Sequence, residues 1–247
     1  MVINFKGFDS VVIGNTIEQP SQEIVKNTIG LWQADLDTAV RYGGDLTRQA
    51  ISAMNIRGDK KYVLVDTKVH MLMPGQCPAI PGWHTDGAPR LKHVGKVEAK
   101  ENGAYSPLGQ GPPNLEVQKE WEEKGDTPRF HLLVTGEGCL TQFLARHCSM
   151  HFHDYEMNHD LYKGITKRIN LTLKVNPTVW RTIESPTCTA LEWGWWHLHS
   201  AKIATKREFR FLIRITESNY HAPKPHSQLN EILRTQQMVY TPLEFGW

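Results

Sequence analysis

The sequence predicts a mostly β protein, a jelly roll or barrel with an N-terminal helical buttress. Three observations carry that expectation. Residues 21–56 space Ile24, Ile29, Leu31, Leu36, Val40, Leu46 and Ile51 at roughly helical intervals, with a break at Tyr42-Gly43-Gly44. After Lys61, short β-branched or aromatic runs alternate with Gly, Pro and Asn. Apolar residues make up 40% of the 247 residues and charged residues 22%. That balance excludes intrinsic disorder and supports a sizeable core.

Taken in order, Ser21 is placed to cap the first helix. Strands are expected at 62–65, 68–73, 130–135, 141–144, 170–175, 179–183, 189–193 and 209–216. Segment 87–128 interrupts them and is polar and rich in Gly, Pro, Lys and Glu. A loop this long is either functional or disordered. It begins directly after Asp86 and is expected to act as a mobile lid. The tail, 217–247, suggests a short helix around 229–238. The whole reads as one domain, 1–247, with its β core at 62–216.

Composition narrows the function classes. No run approaches the ~20 apolar residues of a membrane helix, and residues 1–10 lack a secretory pattern. Lys and Arg total 28 against 26 Asp and Glu, a net charge of +2. This gives no general reason to bind nucleic acid. Local basic character exists at Lys92, His93, Lys96 and Lys100, at Lys167-Arg168, and at Lys202, Lys206 and Arg207, partly offset by acids between Glu116 and Asp126. The four cysteines form no C-x-x-C pair, which argues against a zinc ribbon or disulfide framework and fits a reduced, cytoplasmic setting. Asn170-Leu171-Thr172 matches a glycosylation sequon within a strand-like run and is read as chance.

The 12 histidines invite a search for metal-ligand spacing. Trp83-His84-Thr85-Asp86-Gly87 follows a strand-like run. In extended backbone His84 and Asp86 project to one face and can meet a single ion. A third ligand is offered by Trp195-Trp196-His197-Leu198-His199-Ser200, where both His197 and His199 would face inward. A turn near Ala204 and Thr205 would make a hairpin that returns Arg210 opposite His199. Arg210, Leu212 and Arg214 share a face of that second strand. An inward arginine is costly unless it meets an anion, and a dicarboxylate cofactor would be that anion.

Here the sequence resembles the Fe(II)/2-oxoglutarate-dependent oxygenase superfamily. Its signature is H-x-D/E, then a distant His, then an Arg, and the matching positions are His84, Asp86, His199 and Arg210. The taurine dioxygenase and phytanoyl-CoA hydroxylase branches place the Arg similarly. The resemblance covers roughly 62–216 and is at the level of motifs. It implies a double-stranded β-helix and Fe(II) held by His84, Asp86 and His199. It also implies 2-oxoglutarate as cosubstrate, chelating iron while its C5 carboxylate meets Arg210, with O2 in the last position. Succinate and CO2 would be the coproducts of hydroxylating or demethylating an organic substrate. Two histidines and one carboxylate leave three open positions, as O2 chemistry at non-haem Fe(II) needs. Asp86 argues against halogenases, which replace the carboxylate.

Several residues keep two readings. His197 competes with His199 as distal ligand. Arg214 competes with Arg210 as the cosubstrate anchor, or pairs with substrate or an acidic neighbour. Thr141 is placed like a residue that hydrogen-bonds the C5 carboxylate in some members of the family, and equally like an ordinary strand threonine. Trp83 and Trp195 could wall the site or fill the core. His147, His151, His153, Asp154 and His159 form a rival metal candidate, since His147 and His151 would share a face if helical. A small-molecule substrate is the leading expectation. The alternatives are a non-catalytic jelly-roll metal-binding or structural protein, which would have no need of His84, Asp86, a distal His and an inward Arg together, and a nucleic-acid-modifying oxygenase.

Overall fold

The computed structural model describes residues 1–241 except 92, 95–96, 99–104, 107–110 and 235–237. In chain order the elements are β1 (Val2–Phe5), β2 (Val12–Thr16), α1 (Gln22–Lys26), β3 (Gly30–Ala34), α2 (Leu36–Tyr42), α3 (Gly44–Ala53) and β4 (Tyr62–Leu72). Four two-residue strands follow, β5 (Arg90–Leu91), β6 (His93–Val94), β7 (Val97–Glu98) and β8 (Tyr105–Ser106), then α4 (Leu115–Glu123). The remainder is β9 (Arg129–Val134), β10 (Thr141–Leu144), β11 (Cys148–His151), α5 (Leu161–Val175), β12 (Thr182–Glu184), β13 (Thr189–Gly194), β14 (His199–Ala201), β15 (Glu208–Ser218), α6 (Leu229–Ile232) and β16 (Leu233–Arg234).

The protein is mostly β, and its strands pair antiparallel. A seven-stranded sheet runs β16-β3-β4-β15-β9-β13-β2, and a three-stranded sheet runs β12-β10-β14. The small sheet gains a further neighbour where His84 bridges His199. β15 explains how the layers assemble. Side chains alternate across a strand, so Phe211, Ile213 and Ile215 face one way and Arg210, Leu212 and Arg214 the other. The apolar set is buried in a cluster with Val25, Ala39, Leu46 and Ala50, which come from α1, α2 and α3. The polar set lines a cavity with residues of the small sheet. The helices therefore cover the outer face of the large sheet, as the expected buttress requires. A second cluster joins Phe5, Phe143, Leu161, Ile165, Ile169 and Trp193 between α5 and the sheets.

Most expected strands are present, and Thr141–Leu144 is a strand over the expected residues. Three expectations fail. First, Ile29 and Leu31 do not continue a helix, because Gly30–Ala34 is a strand beside β4. Second, residues 170–175 are the last turns of α5 and not a strand. The alternation of Leu171, Leu173 and Val175 imitates a strand. The helix is fixed instead by Leu161, Tyr162, Ile165 and Ile169, buried at helical spacing, and Leu171 and Val175 are exposed. Third, β14 and β15 do not form a hairpin. β14 pairs with β10, while β15 lies between β4 and β9. The connecting residues are held by other loops: Ala204 N–H donates to Gln76 O at 2.7 Å and Thr205 N–H to Gly138 O at 2.9 Å. The chain crosses from one sheet to the other at this point.

The described part of segment 87–128 includes a packed helix, α4. Asn114 caps α4 through its side chain. Leu115 is fully buried, Trp121 stacks on Trp195, and Glu122 accepts from Trp196 Nε1 at 2.7 Å. Low overall apolar content hid one helix face that carries Leu115, Gln118 and Trp121. Gly95, Gly103 and Gly109 of the expected lid lie outside the described residues. Among the described residues no helix is long and apolar enough to cross a membrane.

Candidate metal centre

His84 and Asp86 lie where a short extended segment meets the edge of β14. The main chain of His84 exchanges hydrogen bonds with His199, each 3.1 Å. That bridge sets the two imidazoles side by side, with ring centroids 4.6 Å apart. One ligand atom from each of His84, Asp86 and His199 lies within 4.8 Å of the others. Asp86 and His199 are 8% and 6% exposed.

The surroundings orient all three side chains. His84 Nδ1 lies 3.2 Å from Gly82 O, and His199 Nδ1 lies 3.2 Å from His197 O. A carbonyl only accepts, so each Nδ1 carries the hydrogen and each Nε2 holds the lone pair. Metal-binding histidines are commonly fixed in this way. Burial, then the neighbouring His199, holds the His84 imidazole down to about 4, which leaves it neutral at pH 7. Burial alone would favour a protonated Asp86, but Arg214 and His199 outweigh it and keep the carboxyl well below its ordinary range. Arg214 Nη1 donates to Asp86 Oδ1 at 2.7 Å and Nη2 to Asp66 Oδ2 at 3.1 Å. Two imidazoles and an ionised carboxylate are the donor set of a divalent first-row metal.

Helix α5 supports the segment from behind. Trp83 N–H donates to Thr166 Oγ1 at 2.9 Å and Trp83 Nε1 to Asn170 Oδ1 at 3.3 Å. Tyr162 OH and Thr85 Oγ1 are 2.8 Å apart. Tyr162, Thr166 and Asn170 recur every four residues along one helix face. Immediately after Asp86 the chain turns at Gly87, with φ of +66°. A Cβ there would meet the Phe130 ring at 2.9 Å and Trp195 Nε1 at 3.2 Å. Glycine is thus required by both conformation and space.

His84, Asp86, His199, Thr141, Arg210 and Arg214, all expected from sequence, line one cavity of ≈ 100 Å³ between the two sheets. Arg210 is 1% exposed. Its Nε donates to Cys139 O at 2.7 Å, while its buried Nη1 has no partner. Burial pushes this guanidinium below its ordinary range, and no carboxylate among the described residues pairs with it. Arg214, by contrast, is occupied by its two aspartates.

Other candidates fall elsewhere. His197 turns away, with Nδ1 at the main chain of Gly194 and Nε2 3.0 Å from Ser10 Oγ. Trp83 and Trp195 do not line the cavity. Trp83 is clamped to α5, and Trp195 Nε1 donates to Gly87 O at 3.2 Å. The wall is Trp193. His147 and His151 cannot share a helix face, because Cys148–His151 is a strand paired with β1. His147 sits 3.3 Å from Asp9, the His153 ring stacks on Tyr155, and His151 meets His153 edge to face. All four cysteines are buried and free. Lys92, Lys96 and Lys100 lie outside the described residues. Of the remaining basic residues, Arg168, Lys202 and Lys206 pair with Glu156, Glu184 and Glu137.

Sequence reasoning missed Asp66 and Lys68, which also line the cavity. Two charged or polar residues at Asp66-Thr67 were read as a gap between strands. They belong to the single strand β4, and Asp66 and Lys68 face inward opposite Arg214 and Leu212. No protein-family model, curated protein or solved structure matches the chain.

Proposed function

We propose that the protein is an Fe(II)- and 2-oxoglutarate-dependent oxygenase with a double-stranded β-helix core, oxidising a small organic molecule. The observation that carries this reading is a buried, uncompensated Arg210 opening on the same small cavity as His84, Asp86 and His199. A guanidinium without a counter-ion is costly in the interior. It becomes favourable when a carboxylate completes it, and bidentate pairing would also orient the ligand. The strand order supports the fold assignment. β4, β15, β9 and β13 are neighbours in one sheet, and the His84 segment, β14, β10 and β12 are neighbours in the other, so the core strands alternate between two sheets except from β10 to β12.

The chemistry such a centre supplies when loaded with iron, 2-oxoglutarate and O2 is oxidation of a substrate C–H bond, with succinate and CO2 as coproducts. The chain's own groups do the rest. His84 and His199 supply nitrogen donors, and Asp86 supplies a carboxylate held ionised by Arg214. Arg210 receives the far carboxylate of 2-oxoglutarate beside the Thr141 hydroxyl. Trp193, Leu132 and Leu212 exclude water from the remaining wall.

Anaerobic titration of the Fe(II)-loaded protein with 2-oxoglutarate tests the reading through the visible charge-transfer absorption of the complex. Wild type is expected to show it. Arg210→Ala is expected to bind about two to four decades more weakly, from about 3–5 kcal/mol for removing a buried charge partner. Equal binding by the two proteins would refute the anchor.

A further inference from the structure

We propose that the substrate is a small organic anion bound in the cleft beside the metal cavity, with its charge on Lys68 and Arg234 and its apolar body against Ile80 and Met238. The catalytic outcome rests on the oxygenase reading above; the binding does not.

The cleft has a volume of ≈ 460 Å³. It shares Asp66, Lys68, Pro78, Ala79, His84 and Arg214 with the ≈ 100 Å³ metal cavity, so a ligand seated in it reaches the face of His84. The inner cavity is too small for a substrate beside the cosubstrate, and the cleft supplies the room.

Charge in the cleft is unbalanced. Its one carboxylate among the described residues, Asp66, is bound by Arg214, and Arg214 is itself consumed by Asp66 and Asp86. Two cations are left over. Lys68 makes no hydrogen bond or ion pair with any described residue. Its side chain keeps solvent on the cleft side. Partial burial, then Arg214 and Arg210, push its ammonium below the ordinary lysine range. Arg234 packs 4.1 Å above the Trp32 ring and has no acidic partner among the described residues. Lys224, also near that ring at 4.4 Å, is neutralised by Glu231. The His70 imidazole adds no charge at pH 7, because burial and the charges of Arg210 and Lys68 hold it at about 3.

This excess is distinct from the cosubstrate anchor. Lys68 pairs across the ladder with Leu212, whereas Arg210 pairs with His70, one inward position deeper. Two anions can therefore be matched by two separate cation sets. Trp32, Pro78, Ala79, Ile80 and Met238 make much of the remaining lining apolar, which suits a ligand with a hydrocarbon or aromatic body.

The test uses wild type, Lys68→Met and Lys68→Arg, loaded with Mn(II) and 2-oxoglutarate and also free of both. The probes are phenylacetate, octanoate and phenyl phosphate, each beside its neutral counterpart phenylacetamide, octanamide or phenol. Binding is read by ligand-observed NMR. In wild type at least one anion is expected to bind about tenfold more tightly than its neutral counterpart. Lys68→Met should lose that preference and Lys68→Arg should keep it. The 2-oxoglutarate affinity of Lys68→Met should fall far less than that of Arg210→Ala. Equal binding of charged and neutral probes, or no binding by any anion, overturns the proposal. So does a Lys68→Met protein impaired mainly in 2-oxoglutarate binding, which would make Lys68 part of the cosubstrate site. If wild type takes up neither Mn(II) nor 2-oxoglutarate but still prefers anions through Lys68, the oxygenase reading falls and the anion cleft stands.

Discussion

Arg214 grips Asp86 by one oxygen: Nη1 is 2.7 Å from Oδ1, while Oδ2 faces His199 Nε2 at 3.4 Å. The same guanidinium holds Asp66. The orientation of the carboxylate is therefore set by protein before any ion arrives, with one oxygen committed and the other turned toward the two imidazoles.

Removing that grip leaves two aspartates facing each other across a half-enclosed space. Arg214→Met is expected to destabilise the fold by about 2–3 kcal/mol, below the range for a fully buried pair because solvent reaches part of Arg214. Metal affinity should fall about 10–100-fold, as when a supporting hydrogen bond to a ligand is lost. Denaturant unfolding and metal titration check the two effects separately.

The α5 face gives a second prediction. Thr166→Val deprives the Trp83 N–H of its acceptor at a partly buried position. An unsatisfied donor costs about 1–3 kcal/mol. Because Trp83 adjoins His84, the variant should also bind metal more weakly, although no ligand has changed. Thr166→Ser should restore both. Metal titration of the two variants distinguishes positioning from general destabilisation.

The second prediction starts from a residue that sequence reasoning did not place at the site. The H-x-D motif and the distal histidine were legible because ligand geometry demands them at a spacing visible in one dimension. Arg210 and Arg214 were legible as inward residues because β15 alternates strictly. The route that brings them to the metal was misread. A polar turn between two strands suggests a hairpin, and nothing local reveals that Ala204 and Thr205 are held by Gln76 and Gly138. The support from α5 was hidden for a related reason. Leu171, Leu173 and Val175 carry a period of two by chance, and the helix is decided by buried contacts of Ile165 and Ile169 with distant residues. Asp66 and Thr67 look like a strand break until the site that Asp66 and Lys68 face is known.

Acid should unfold the protein partly through Glu217. Burial opposes its ionisation, but hydrogen bonds from His131, Arg129 and Gly58 prevail and lower it to about 2. A carboxylate depressed in the folded state contributes stability above its unfolded value, near 4.5. That contribution is lost as pH falls from there through about 2, and by linkage it is roughly 3 kcal/mol. Glu217→Gln should therefore be less stable at pH 7, and the gap from wild type should narrow between pH 4.5 and pH 2. Urea unfolding across that range reads it.

Metal stoichiometry tests the central claim most directly. Purified wild type, Asp86→Ala, His199→Ala and His197→Ala are each equilibrated anaerobically with Fe(II), desalted and analysed for iron. Wild type and His197→Ala are predicted to retain one equivalent, and Asp86→Ala and His199→Ala to retain almost none while still folded by circular dichroism. Full iron in both Asp86→Ala and His199→Ala, or loss in His197→Ala alone, would contradict the account.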